Sequence, residues 1–318
     1  MEQVVFYGLL HLAEQPTANV NLKTQSDPVD IYLQCAALCG RSLAAQGYDF
    51  RLISNQKSRL LARMEAAGLE SLDVVQLDFH LDVPDKAPFY SAHFKIELFQ
   101  AFGTGQFGKI VGLIDIDTVL LRDFSSLVKA PAGLVGYEIT RTEVDAYGES
   151  LISQTLSLIG GESLPARWWG GEFIVGTSAD FATLTTYLHK LWPRYLEVWP
   201  SLHHQGDEAL TSVALALMQR DGAIVGDAGA SHDVARWWSA RTRSRHAALG
   251  HAAQASLLHL PSDKPFLAKQ AADSNLEFAD FVTRYTSHAR RMAFRGYLAN
   301  LLDRRRFPQK TRYVPRIR

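Results

Sequence analysis

The first third of the chain alternates two hydrophobic periods. Short apolar runs bounded by polar residues have the length of buried strands: "QVVFYGLL" (3–10), "YDFRLISN" (48–55), "LDVVQLDF" (72–79) and "KIVGLIDID" (109–117). Between them, "SDPVDIYLQCAALCGRSLAAQG" (26–47), "QKSRLLARMEAAG" (56–68) and "SAHFKIELFQAFG" (91–103) place apolar residues at helical spacing. The first helix carries its own punctuation, with Asp27 as N-cap, Pro28 at the first helical position and Gly47 at the stop. Such alternation predicts an α/β domain whose mixed, mostly parallel sheet is covered by helices. Ligands of such sheets lie beyond the carboxyl ends of the strands, where Asp115 and Asp117 fall.

The pattern loosens after Leu127. "AGLVGYEIT" (132–140), "GGEFIVGTS" (170–178), "AIVGDAG" (223–229) and "ASLLHLP" (255–261) read as strands, and "RTEVDAYGES" (141–150) as a polar loop. "SADFATLTTYLHKLWPRYLEVW" (178–199) and "GDEALTSVALALMQRDG" (206–222) read as helices, and apolar residues recur at helical spacing again from Leu276 to Leu302.

With 318 residues, 47% of them hydrophobic, the chain can bury one large core or two small ones. No apolar run reaches the 18 residues or so that a spanning helix needs. The opening "MEQVVFYGLLHLAEQ" has an acid where a secretory leader is basic, so a cytoplasmic protein is expected. Cys35 and Cys39, one helical turn apart on an apolar stripe, read as buried thiols of a reducing compartment. The zero net charge hides an asymmetry. From Arg284 to Arg318 eleven Lys or Arg accompany one acid, Asp303, which leaves 22 bases against 32 acids in the body. The basic stretch is interleaved with Met292, Phe294, Tyr297, Leu298, Leu301, Leu302, Phe307, Tyr313 and Ile317. That mixture predicts contact with an anionic membrane surface, peripheral at the inner face, rather than with nucleic acid, for which no reading motif is present.

Two carboxylates buried at a strand end cost several kcal/mol, on the order of a poorly paired buried ion, unless a cation or donors meet them. A bare D-x-D is a weak signal, and its surroundings are more informative. "VGLIDIDTVLLRDFSSL" (111–127) resembles the metal-binding segment of GT-A fold nucleotide-sugar glycosyltransferases, the family of glycogenin and the bacterial lipopolysaccharide galactosyltransferases. "HFKIELFQAF", "WWGGEFIVGTS", "HHQGDEALTSVAL" and "LLHLPSDKPF" resemble further segments of that family in the same order, over residues 1–268. Four features depart from it: the span from His259 to Lys264 is one residue short, the motif glycine is absent, Phe266 stands for the usual Trp, and "GDEALT" offers Asp207 and Glu208 where the family has Asp, Gln and Asp.

The resemblance implies a GT-A catalytic domain (1–268) followed by a basic amphipathic C-terminal region (269–318), and a Mn²⁺ or Mg²⁺ held by Asp115, Asp117 and His259. It also implies transfer of a hexose, with retention, from a uridine diphosphate sugar to a hydroxyl of a glycan or lipid-linked saccharide. Lys264 would then meet the diphosphate, Lys95, Gly170 and Gly171 the donor, and Asp207 and Glu208 the reacting sugar. Trp169, Glu172 and His204 would contact the acceptor. Hard cations favour carboxylate oxygen, and imidazole suits Mn²⁺. "DIDTVL" also fits haloacid-dehalogenase-type phosphatases, with Asp115 as nucleophile, Asp117 as acid/base, "FIVGTS" as the Thr or Ser segment and "AIVGDAGASHD" as the late acidic one. Against that reading, three strand–helix units precede the pair, and Asp227 and Asp233 are too widely spaced. A non-catalytic glycan-binding protein would keep the aromatics without the metal ligands.

Overall fold

The computed structural model describes residues 3–13, 27–69, 72–84, 87–240, 242 and 246–304, with side chains up to Arg295. Its main strands are β1 (Val5–Leu9), β2 (Asp49–Ser54), β3 (Asp73–Gln76), β4 (Ile110–Ile114), β6 (Leu134–Glu138), β7 (Trp169–Thr177) and β8 (Val225–Asp227). They form one sheet in the order β3-β2-β1-β4-β7-β6-β8. Every neighbouring pair is parallel except those of β7, which runs antiparallel to β4 and β6. The mixed, mostly parallel sheet is therefore the one predicted. Because β7 is reversed, its first residues lie beside the carboxyl ends of β4 and β6.

A second, three-stranded sheet joins β5 (Thr118–Leu120), β10 (Leu257–His259) and β9 (Val234–Arg236), with β10 central. β10 is antiparallel to β5, which sets His259 opposite Thr118, and parallel to β9, which sets it opposite Arg236.

Helices α1 (Pro28–Ala44), α2 (Lys57–Ala66), α3 (Lys95–Gly103), α4 (Ser126–Lys129), α5 (Thr140–Tyr147), α6 (Glu149–Gly160), α7 (Ser178–Val198), α8 (Asp207–Arg220), α9 (Leu249–Ala252), α10 (Lys264–Ala271) and α11 (Phe278–Arg304) complete the chain. Strand alternation divides the core between the two faces of the sheet. Tyr7 points to the side of Phe102, Phe181 and Leu188, and Phe6 to the side of Phe124, Phe173 and Val175. α1 begins and ends as read: Asp27 accepts from the Val29 N–H at 2.9 Å, Pro28 opens the helix, and Gly47 has φ +83°. Both cysteines are buried free thiols, and burial pushes the Cys39 thiol up to about 12.

Three expectations change. "RTEVDAYGES" is mostly helix, α5, and it escapes a periodicity reading because none of its side chains is buried. The expected helix at 91–103 starts as a 3₁₀ turn, Tyr90–Phe94, before α3. The boundary at 268 falls inside α10, and Phe281, Tyr285 and Ala289 of α11 are fully buried with Leu38, Val119, Trp237 and Leu258. Met292 and Phe294 of the apolar tail set are exposed. The basic residues from 305 on, with Phe307, Tyr313 and Ile317, lie outside the described residues. No helix among the described residues is long and apolar enough to cross a membrane.

Candidate functional site

Strand pairing assembles the site. Asp115 follows β4, where its N–H donates to the Glu172 carbonyl of β7 (2.9 Å) and its carbonyl accepts from the Thr118 hydroxyl (2.8 Å). Asp117 sits in the turn into β5, its carbonyl bonded by the Leu260 N–H just past β10 (3.0 Å). The β5–β10 ladder thereby carries His259 to the aspartates from 142 positions away, with Nε2 at 3.2 Å from Asp117 Oδ1. One ligand atom each of Asp115, Asp117 and His259 lie within 4.8 Å of one another. Donors around an ion bonded at about 2.1 Å stand about 4.2 Å apart at most, so small rotations of these side chains would suffice to hold one. Lys264, the first residue of α10, donates to Asp117 Oδ2 and to the Pro261 carbonyl.

Behind these groups lies a chain of buried charges. His259 Nδ1 is 3.0 Å from Glu172 Oε1, and Glu172 takes a two-pronged contact from Arg236 at 2.5 and 2.6 Å. Arg236 also donates to Glu208 (2.9 Å), which accepts from the Gly171 N–H and Trp168 Nε1, each at 3.1 Å. On the other side Lys95 Nζ joins Asp115 (3.0 Å), the Gly171 carbonyl (2.8 Å) and Asp207 (3.4 Å).

Burial would push Asp117 up, but Lys264 and His259 outweigh it and hold the carboxyl well below its usual range. Asp115 is raised by burial and by the charge of Asp117, against the pull of Lys95. Burial alone would depress His259, yet Asp117 and Glu172 raise the imidazole to about 9. Burial also disfavours charge on Glu172, and Arg236 and His259 reverse the effect, lowering it.

The predicted residues meet at this site, though not all in the roles read from sequence. Asp207 and Glu208 occupy the first turn of α8, where the helix dipole favours negative charge. A Cβ on Gly171 would stand 2.7 Å from Asp207 Oδ2 and 3.2 Å from Lys95 Nζ, so these two side chains close directly over its backbone. Glu172, expected at the acceptor, is instead fully buried behind His259, both its oxygens committed to Arg236 and one to the imidazole. Trp169 is 1% exposed, packed on Gly136 with the Arg167 guanidinium 4.8 Å above its ring, so no face is open to a sugar. Both corrections have one cause: β7 starts inside the protein, so its alternate side chains face core and charge network rather than solvent.

Arg236 and Trp168 belong to the site without having been predicted in it. Arg236 sits on a three-residue strand whose "DVARWW" context has no periodicity to read.

The phosphatase elements fall elsewhere. Thr177 pairs with Ile110, at the far end of β4 from Asp115, and caps α7. Asp227 accepts from the Glu138 and Gly229 N–H groups, and Asp233 from Ser125 and Ser231, so both serve turns.

No family model matches the chain, and no curated protein matches it. Among solved structures it is similar to the apo form of the bifunctional glycosyltransferase WbbM, at 12% identity and a TM-score of 0.47, over 89% of this chain and 51% of that one. The chain thus spans about half the length of WbbM. It is also similar to the galactosyltransferase LgtC in complex with donor and acceptor sugar analogues, at 12% identity and a TM-score of 0.46, over 84% of this chain and 95% of that one.

Proposed function

We propose that the chain is a metal-dependent glycosyltransferase that moves a hexose from a nucleoside diphosphate sugar, a uridine diphosphate sugar in the first instance, to a hydroxyl of a glycan or lipid-linked saccharide. The observation that carries the reading is the convergence of Asp115 and Asp117, between β4 and β5, with His259 at the end of β10, and with Lys264 beside them. The donor set, two carboxylates and an imidazole, suits Mn²⁺ or Mg²⁺. A bound divalent cation stabilises the charge that gathers on a diphosphate leaving group without any proton transfer. Lys264 and Lys95 supply two further positive charges within the same shell.

In this reading Asp207 and Glu208 flank the reacting sugar, Gly170 and Gly171 border the donor, and His204 lies on the acceptor side. Retention of configuration follows from the family resemblance. The cytoplasmic, peripherally membrane-bound location belongs to the same proposal and draws on the basic tail. A phosphatase reading is disfavoured by Thr177, which stands at the wrong end of its strand for Asp115. A purely glycan-binding protein would have no use for the buried ligand set.

Thermal shift of the full chain with uridine diphosphate and its glucose and galactose conjugates, with and without Mn²⁺, tests this. A ligand at one hundred times its dissociation constant adds about 2.7 kcal/mol of stability, so Tm should rise clearly when nucleotide and metal are both present and little with either alone. No rise with the pair, or covalent labelling of Asp115 by beryllium fluoride, would overturn the assignment.

A further inference from the structure

Glu172 is engaged through both its backbone and its side chain. Its carbonyl accepts the Asp115 N–H at 2.9 Å, and its Oε1 lies 3.0 Å from His259 Nδ1, so one residue of β7 touches two of the three candidate ligands. It is 0% exposed, and both its carboxylate oxygens meet the Arg236 guanidinium. Arg236 is fixed in turn. Its backbone N–H donates to the Tyr137 hydroxyl at 3.0 Å, its guanidinium reaches Glu208 at 2.9 Å, and the β9–β10 ladder sets it opposite His259.

Stability does not account for burying this pair of charges. Well-packed apolar side chains in place of a buried ion pair are often neutral or stabilising, and Phe173, Ile174 and Val175, which follow Glu172 on β7, are of that kind. What an apolar side chain cannot do is accept a hydrogen bond from an imidazole. The two nitrogens of His259 have different partners: Nε2 lies 3.2 Å from Asp117 Oδ1, and Nδ1 faces Glu172. Nε2 can ligate a cation only when it carries no proton, which leaves the ring proton on Nδ1. A carboxylate there accepts that proton's hydrogen bond, fixes the ring and makes Nε2 the better donor. A glutamine in its place would exert no such preference, since its amide can offer oxygen to a protonated Nδ1 or NH₂ to a bare one.

We propose that Glu172 is a positioning residue for His259: braced by Arg236, it holds the ring with its proton on Nδ1 and Nε2 toward Asp117 as a cation ligand. The proposal rests on the ligand set of the transferase reading and adds the residue that decides how the imidazole joins it. It also gives the site a preference among ions. Mg²⁺ keeps oxygen and water around itself, whereas a transition ion such as Mn²⁺ takes an imidazole nitrogen more readily, so a correctly held His259 favours Mn²⁺.

Mn²⁺ binding to the full chain, read from the electron paramagnetic resonance signal of the free ion, tests this, with Mg²⁺ measured by its competition. The site is defined as the Mn²⁺ binding that Asp117→Asn loses. Glu172→Gln should weaken Mn²⁺ there about tenfold or more, and Mg²⁺ threefold or less. His259→Ala should weaken Mn²⁺ similarly, and Glu172→Gln added to it should change little more, because a residue acting through His259 then has nothing to act on. A merely structural role would lower both ions alike and add its loss to that of His259→Ala; either result would overturn the proposal, as would wild-type Mn²⁺ affinity in His259→Ala. One measurement needs no variant at Glu172. In the long-range ¹H–¹⁵N NMR spectrum of the Mg²⁺-saturated wild-type chain, His259 should carry its proton on Nδ1, and a proton on Nε2 would overturn the assignment. Stabilisation by uridine diphosphate with Mn²⁺ but no loss in Glu172→Gln would remove the positioning role and leave the transferase. The expected losses in a chain that uridine diphosphate does not stabilise would do the reverse.

Discussion

Asp117 is 4% exposed, and the charges of Lys264 and His259 offset the cost of burying its carboxylate. Asp117→Asn keeps its shape and removes one negative charge from the ligand set. We expect the variant to lose the Mn²⁺-dependent part of the nucleotide thermal shift and at least a hundredfold in turnover, about 3 kcal/mol of transition-state stabilisation. An undiminished metal-dependent shift would remove Asp117 from the ligand set. Glu143 makes a prediction of opposite sense. The unfolded chain gives up this proton near 4.5, whereas the folded chain holds it to about 7. The folded state thus binds more protons in that window, and this group lowers stability as pH rises through it. Allowing for partial exposure, the cost at pH 8 is about 2 kcal/mol or less. Glu143→Gln should match the wild type near pH 4 and be the more stable protein at pH 8 in urea unfolding. Equal stability at both would mean the carboxylate is better solvated than its surroundings indicate.

At the level of elements, the site depends on short pieces held by long-range packing. β5, β9 and β10 have three residues each, too short to stand alone. They are backed by α1, α10 and the first turns of α11, whose Tyr285 hydroxyl donates to Asp263 at 2.8 Å. Asp263 also accepts from Ser239 (2.7 Å) and lies 3.0 Å from His288 Nε2, fixing the residue directly before Lys264. α11 is therefore part of the folded body for its first three turns or so. Phe281→Ala, at a fully buried position between Phe266 and Tyr285, should cost about 3 to 5 kcal/mol in urea unfolding. Phe294→Ala, on the same helix but 62% exposed, should change stability by less than about 0.5 kcal/mol. Similar costs at both positions would mean that the helix packs along its whole length.

For the whole molecule, the dominant feature is the separation of an acidic body from a basic end. Residues 305–318 hold six of the eleven bases counted from Arg284 onward, and they can be removed without cutting into α11. Each Lys or Arg near an anionic leaflet contributes about 1 kcal/mol, so this removal should abolish co-sedimentation with phosphatidylserine liposomes at low salt. It should leave the nucleotide thermal shift intact, since no residue of the ligand set lies beyond α10. Sedimentation that persists after truncation and in high salt would rule out the tail as a membrane anchor.

What the sequence determined by itself is whatever local periodicity and end chemistry encode. The strands and helices of the first half, the capping of α1 by Asp27 and Pro28, the buried thiols, and the aspartate pair at a strand end were all legible, because each depends on neighbours a few positions away. The motif order also brought His259, Lys264, Lys95, Asp207 and Glu208 forward as candidates. Only tertiary structure decided which of these charges face one another. The reversal of β7 turned Glu172 and Trp169 inward, and the three-residue β9 brought Arg236 between two glutamates. α5, lacking a buried stripe, could be seen as a helix only once folded. Periodicity records which face of an element is dry. It carries no information about which distant element makes it so, and the pairing of buried charges is settled there.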